Sequence, residues 1–286
     1  MSEFRIGRFQ ILGTLGKGAH STLLHIHRSA DGRNYALKVV PIGGKDDLKF
    51  LEQARHEFRV AQKLDHKNLI KVYALETLKD WMFRINKVHL LIEFVNGKTL
   101  DTCPPLPLPM LVQVLKAAAD GLVHMHRRRI YHADLKPNNI MLSRSGDVKI
   151  IDYGLATIQG EGKDRIQGTP EYMAPETAKH KMVSERTDIY NFGATMYRMV
   201  TCRLPPSTLQ QGGGLAIDAK TWAQLLKPVQ ELNTKAPPVL CDLIHRCLSF
   251  DANKRPERMS EVQSVLDRLA DEMITSQEDR LETLEW

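Results

Sequence analysis

The chain has 286 residues, 42% of them hydrophobic and 26% charged, with a formal net charge of +6, an ordinary composition for a soluble globular protein near the size where one core divides into two. A membrane helix is excluded, because it needs about 20 consecutive apolar residues and the longest apolar run, Val88–Val95, is broken by His89 and Glu93. The charge is uneven: residues 271–286 carry −5, which leaves +11 on the remainder and favours anionic ligands there. The opening MSEFRIGRFQ lacks the apolar core of a signal peptide. Cys103, Cys202, Cys241 and Cys247 form no CxxC pair or metal-ligand spacing, so reduced thiols and a cytoplasmic location, alone or as the cytosolic domain of a longer protein, are expected.

Residues 9–40 alternate as strands do, with a hairpin turn at Asp31-Gly32 between His25–Arg28 and Asn34–Val40. His25 and His27 share one strand face, but no third ligand stands near and no metal site is expected. The spacing of Leu51, Ala54, Phe58 and Ala61 predicts an amphipathic helix after Asp46-Asp47, with Glu57 at the edge of its apolar face. Val88–Val95 reads as a buried strand followed by an Asn96-Gly97 turn. Pro104–Pro109 reads as a stiff connector to a long helix over 110–126. Helical periodicity then recurs over Asp188–Val200, Thr221–Gln230, Val239–Leu248 and Ser260–Met273, with a mobile loop at Gly212–Gly214. The last helix is expected to run on amphipathically through Leu281 and Leu284 into the acidic tail. The triple Arg127–Arg129 closes the long helix, where cations are favoured, and no aromatic residues interleave with it; no nucleic-acid partner is expected.

The chemistry concentrates in residues 132–154, HADLKPNNIMLSRSGDVKIIDYG. Asp134 and Asp152 stand 18 residues apart with Lys136, Asn139 and a short apolar strand, Val148–Ile151, between them. Phosphoryl transfer from ATP needs such a set. One carboxylate orients a hydroxyl nucleophile, a cation sits on the moving phosphoryl group, and an Asn with an Asp holds magnesium. Upstream, Gly16 and Gly18 allow close backbone approach to a triphosphate. Lys38 ends the apolar strand YALKVV, and Glu57 is the acid that would fix its ammonium toward phosphate oxygens.

Over residues 9–270 the chain resembles the eukaryotic-type protein kinase family, most closely its bacterial Ser/Thr members. The resemblance implies an α+β, bilobal fold. A small antiparallel β-sheet lobe with one key helix (9–93) would hold ATP, and a larger, mainly helical lobe (94–270) would carry the catalytic loop, activation segment and substrate site, followed by the acidic tail (271–286). It implies Asp134 as catalytic base, Lys136 and Lys38 as phosphate contacts, Glu57 as partner of Lys38, and Asn139 and Asp152 as ligands of magnesium, for which manganese can substitute. Leu15, Gly16, Gly18, Leu23, Ala36, Ile92 as gatekeeper, Glu93, Val95 and Met141 would line the nucleotide site. Gly168–Glu176 resembles the end of the activation segment, Asp188–Gly193 a buried helix bracing the catalytic loop, and Arg255 the partner of Glu176. That pair, with Lys136 and Thr169, implies a protein substrate with a Ser or Thr acceptor.

Three departures bear on regulation. Ala133 replaces the arginine that precedes the base, and Ile158–Gly168 contains no Ser, Thr or Tyr. Activity independent of activation-loop phosphorylation is therefore expected. Ala61 is small where relatives carry a larger apolar residue, which points to an activating protein partner. Tyr153 replaces a Phe, and its hydroxyl needs a partner if buried. Thr99 and Asn138 stand where base-directed relatives carry acids, so no strong preference for basic residues before the acceptor is expected. Ala133, Ala61 and Ser21, which replaces the third glycine of the family's Gly-rich loop, support an alternative, a pseudokinase or scaffold that binds nucleotide without efficient turnover.

Overall fold

Alternation over the first hundred residues produces an antiparallel sheet. The computed structural model describes residues 5–6, 8–18, 20–161, 167–208 and 217–282. Its strands are β1 (Arg5–Ile6), β2 (Phe9–Lys17), β3 (Thr22–Arg28) and β4 (Arg33–Pro41), then, after helix α1 (Leu48–Ala61), β5 (Val72–Lys79) and β6 (Ile85–Glu93). They lie in the order β1-β2-β3-β4-β6-β5. The predicted turn joins β3 to β4: Gly32 takes φ +66, and Asp31 accepts from the Tyr35 hydroxyl at 2.6 Å and from Arg33 N at 3.1 Å. The chain divides into two units. The first runs to Asn96 and also takes in Asp152–Gly154, which group with it rather than with their chain neighbours.

The register gives the sheet two chemically different faces. Leu23 pairs with Lys38 and Lys38 with Leu90, while Ala36 lies opposite Ile92, so these side chains share one face. Ile26, Tyr35 and Leu37 form a buried cluster on the other, joined by Leu24, Val39 and Leu91. Helix α1 packs on β4, β5 and β6 and buries Leu51, Ala54, Glu57, Val60 and Ala61. Phe58, expected on that face, is only half-buried, because Glu57 occupies the inward position next to it.

The second unit begins at Gly97, which opens strand β7 (Gly97–Thr99) instead of closing a turn. Helix α2 (Leu108–Arg127) starts within the predicted proline connector, with Pro109 in its first turn, where a missing N–H costs no helical bond. Then follow β8 (Ile130–Tyr131), β9 (Ile140–Ser143), β10 (Val148–Ile150) and β11 (Thr157–Ile158). They make two small antiparallel sheets, β10-β9-β7 and β11-β8. The helices are α3 (Pro175–His180), α4 (Glu185–Thr201), α5 (Ala219–Leu225), α6 (Val229–Leu232), α7 (Pro238–Cys247) and α8 (Met259–Glu282). The single helix expected over Thr221–Gln230 is two, α5 and α6, since Pro228 lacks the amide to continue the ladder. Gly212–Gly214 and the side chains of residues 276–286 lie outside the described residues.

Helix α4 is buried on almost every side and carries a capping box of Ser184 and Thr187. At Gly193 an added Cβ would lie 2.7 Å from Cys247 Cβ on α7, closer than atoms tolerate. Gly193→Ala is therefore expected to lower stability by about 1–3 kcal/mol through overpacking. Urea midpoints check this, and an unchanged midpoint would contradict so tight a contact.

Candidate active site

In the first unit the strand lysine and the helix acid meet. Lys38 Nζ donates to Glu57 Oε2 at 2.6 Å, and Glu57 is 4% exposed. Asp152, in the tripeptide that belongs to this unit, acts electrostatically on both. Burial opposes the Lys38 ammonium, but the Glu57 and Asp152 charges outweigh it and raise the lysine above its ordinary value. Burial pushes the Glu57 carboxyl up, with Lys38 pulling it back. The lysine therefore stays charged.

Beside this pair is a cavity of about 240 Å³ lined by His20, Lys38, Phe50, Gln53, Ala54 and Glu57. His20 stacks on Phe50 with ring centroids 3.9 Å apart. Leu15 and Gly16 lie in β2, and Gly18 donates its amide to Ser21 O at 2.8 Å in the turn that follows. A Cβ on Gly16 would meet no atom within 4 Å, so packing inside the chain does not demand the glycine. Leu23, Ala36 and Ile92 share the face of Lys38. Glu93 ends β6, and Val95 follows it. Tyr153 is buried, and its hydroxyl finds the expected partner, donating to Ile70 O at 3.0 Å.

In the second unit the catalytic-loop candidates form one hydrogen-bonded group. Lys136 Nζ donates to Asp134 Oδ2 at 2.9 Å and to Thr169 Oγ1 at 2.5 Å, while Thr169 N donates to Asp134 Oδ1 at 2.8 Å. Asp134 is thereby held at both oxygens and stays beside a cation. Asn139 Nδ2 donates to Asp134 O at 2.8 Å, which leaves the oxygen end of its amide for a cation. Met141 lies on β9 opposite Lys149 and Thr99. Arg255 grips Glu176 through two parallel bonds of 2.8 and 2.9 Å. Asp101, exposed in the turn after β7, accepts from Asn138 Nδ2 at 3.0 Å. Comparing Thr99 and Asn138 alone passed over this acid.

Asp188 supports the loop from below. Fully buried, it accepts from His132 N at 2.7 Å, Ala133 N at 2.8 Å and His126 Nε2 at 2.8 Å. Ala133 consequently sits at φ +65, a left-handed conformation that non-glycine residues rarely take. His126 Nδ1 lies 3.2 Å from Glu185 Oε1, within ion-pairing distance though off the line of a hydrogen bond. Sequence reading missed His126, since nothing local marks the acid it meets 62 residues later.

Burial disfavours the charged imidazole, but Asp188 and Glu185 prevail and raise His126 from 6.5 to about 9. Such a group contributes stability that is complete below pH 6.5 and lost as the pH climbs through about 9. Asp188 and Glu185 are lowered, so their own contribution is constant across that window. Wild-type protein should thus lose up to about 3 kcal/mol between those limits, and His126→Gln much less. Parallel slopes of urea midpoint against pH for the two proteins would rule the imidazolium out.

Among the described residues no group of three or more His, Cys, Asp or Glu could hold a metal by itself. Asn139 and Asp152 are oxygen donors of the hard kind magnesium prefers, and that ion commonly completes its shell with phosphate and water. Each of the two residues, taken by itself, therefore has donor chemistry that suits such an ion.

The protein kinase domain profile matches residues 9–266. A probable serine/threonine-protein kinase of Streptomyces coelicolor is 32% identical over 213 residues, 70% of this chain and 31% of that protein. Serine/threonine-protein kinase PrkC of Bacillus subtilis is 25% identical over 96% of this chain and 43% of its own length. Serine/threonine-protein kinase pkn2 of Myxococcus xanthus is 29% identical over 91% of this chain and 32% of its own. The chain thus spans less than half the length of each of these relatives.

Proposed function

The chain belongs to the protein kinase domain family, and from that premise we propose that it transfers the γ-phosphoryl group of ATP to serine and threonine hydroxyls of protein substrates. The observation that carries the reading is the cluster of Asp134, Lys136 and Thr169, a carboxylate held beside a fixed ammonium. Asp134 orients the acceptor hydroxyl and takes its proton as the new O–P bond forms and the bond to the β-phosphate oxygen breaks, releasing ADP. Lys136 offsets negative charge on the moving group, and Lys38, steadied by Glu57, holds the remaining phosphates. Asn139 and Asp152 would hold magnesium, which supplies further positive charge to the phosphate oxygens. Leu15, Leu23, Ala36, Ile92, Val95 and Met141 offer apolar surface for adenine, and the backbone of Glu93 and Val95 offers hydrogen bonds.

Activity independent of activation-loop phosphorylation is part of the proposal. The Ala133 methyl cannot gather a phosphate. Of the threonines flanking Ile158–Gly168, Thr157 is buried and Thr169 is bound to Lys136. Residues 162–166 lie outside the described residues. A cytoplasmic setting is supported by four free cysteines, and no helix among the described residues is long and apolar enough to cross a membrane.

The test is transfer from labelled ATP to a generic protein with magnesium, followed by mapping of every phosphorylated residue. Phosphoserine and phosphothreonine on the substrate are expected. Nucleotide binding with no transfer would favour the nucleotide-binding scaffold. A loop phosphate whose removal abolishes activity would refute the switch-free part alone.

A further inference from the structure

Among the described residues the two most exposed large apolar side chains stand together, in the turn between β5 and β6. Trp81 is 86% exposed and Phe83 81%, with Met82 at 42% between them, whereas Trp222 is 3% exposed in the second unit. The turn is tightly built. Asp80 Oδ1 accepts from Met82 N at 2.8 Å and from Arg84 N at 3.0 Å, Asp80 N donates to Arg84 O at 2.8 Å, and Phe83 N to Asp80 O at 3.0 Å. Phe83 is held at φ +60, unusual for an aromatic residue. The backbone thus presents three apolar side chains to water from a rigid tip. Lys79, Arg84 and Lys87 flank it, all exposed and none ion-paired among the described residues.

We propose that this tip inserts into the interfacial layer of an anionic phospholipid bilayer and so seats the domain on a membrane surface. Aromatic side chains favour the headgroup boundary, and lysines and arginines beside them draw anionic lipid. Size argues against a protein partner as the occupant. A stable protein interface buries about 800 Å² on each side, and an aromatic residue covers only about 150–250 Å², so a five-residue turn falls short. The same area suits shallow, reversible insertion aided by charge.

The full chain is mixed with phosphatidylglycerol-rich vesicles or pure phosphatidylcholine vesicles and sedimented, alongside a Trp81→Ser/Phe83→Asn variant. Asparagine tolerates the φ of Phe83, and an unchanged thermal midpoint and nucleotide affinity verify that the variant is folded. Wild type should sediment with the anionic vesicles, more weakly as salt rises, and the variant should bind about tenfold or more weakly. Absence of sedimentation, or binding the double variant leaves intact, would overturn the proposal. Equal binding to phosphatidylcholine would overturn the anionic assignment. Lipid-free self-association that disappears in the variant would identify a protein partner instead.

Discussion

Asp134→Asn is expected to lower kcat by about 10²–10⁴, the contribution of a positioned general base, while leaving nucleotide affinity and the unfolding midpoint near those of wild type. The side chain keeps its shape, and its oxygen can still accept from Thr169 N, now 2.8 Å from Oδ1. What disappears is the negative charge that attracts the acceptor proton and pairs with Lys136 at 2.9 Å. The new amide nitrogen would face that ammonium donor to donor, so Lys136 would keep only Thr169 as a partner. A rate loss with unaltered nucleotide affinity separates chemistry from binding. Lys38→Met should do the reverse, weakening nucleotide binding and leaving Glu57 buried without its cation. Single-turnover transfer with each variant, beside nucleotide titration, checks both. An Asp134→Asn protein retaining more than about a tenth of the wild-type rate would remove Asp134 from the role of base.

Arg255→Met is expected to cost about 3–5 kcal/mol, since breaking a buried pair strands the remaining charge. The Arg255 side chain is 0% exposed. Besides Glu176 it donates to Arg186 O at 2.8 Å, Ser249 O at 2.8 Å and Phe250 O at 3.2 Å, and its guanidinium lies 4.8 Å from the Tyr190 ring centroid. Those partners come from the starts of α3 and α4 and from the segment after α7, so one side chain satisfies carbonyls on several elements at once. Domain stability is typically about 5–15 kcal/mol, so the variant should be largely unfolded at modest temperature. Glu176→Gln keeps an acceptor for the guanidinium and for Thr187, whose hydroxyl donates to Glu176 at 3.0 Å, and should cost less. Removing both charges together should cost less than the sum of the single changes. Calorimetry on the three proteins tests this, and a stability loss below about 1 kcal/mol for Arg255→Met would refute a buried structural pair.

How far the sequence could be read depended on the distance between interacting residues. The Asp31-Gly32 turn and helix α1 were legible because their signals are local. So was the group around Asp134, where the short spacing to Lys136 and Asn139 carries most of the geometry. Local errors came from proline. It opened α2 earlier than the connector reading allowed, and it broke the helix expected over Thr221–Gln230. Periodicity marked the buried side of α1 and placed Glu57 where it could turn inward, but not the depth of each residue, and Phe58 lies shallower than Glu57.

By itself the sequence determined most of the helices and the longer strands, and it set residue types suited to phosphoryl transfer, Asp134, Lys136 and Asn139, at short spacing with Ala133 before the acid. Those properties follow from residue types at short spacing, where backbone geometry dictates direction. Tertiary structure alone decided that His126 would be charged, that Asp101 would stand beside Asn138, that Tyr153 would find Ile70, and that Trp81 and Phe83 would face water. Each depends on a partner, or the lack of covering atoms, far away in the chain. Burial and hydrogen bonding are settled by packing density around a site, which no local pattern of residues encodes.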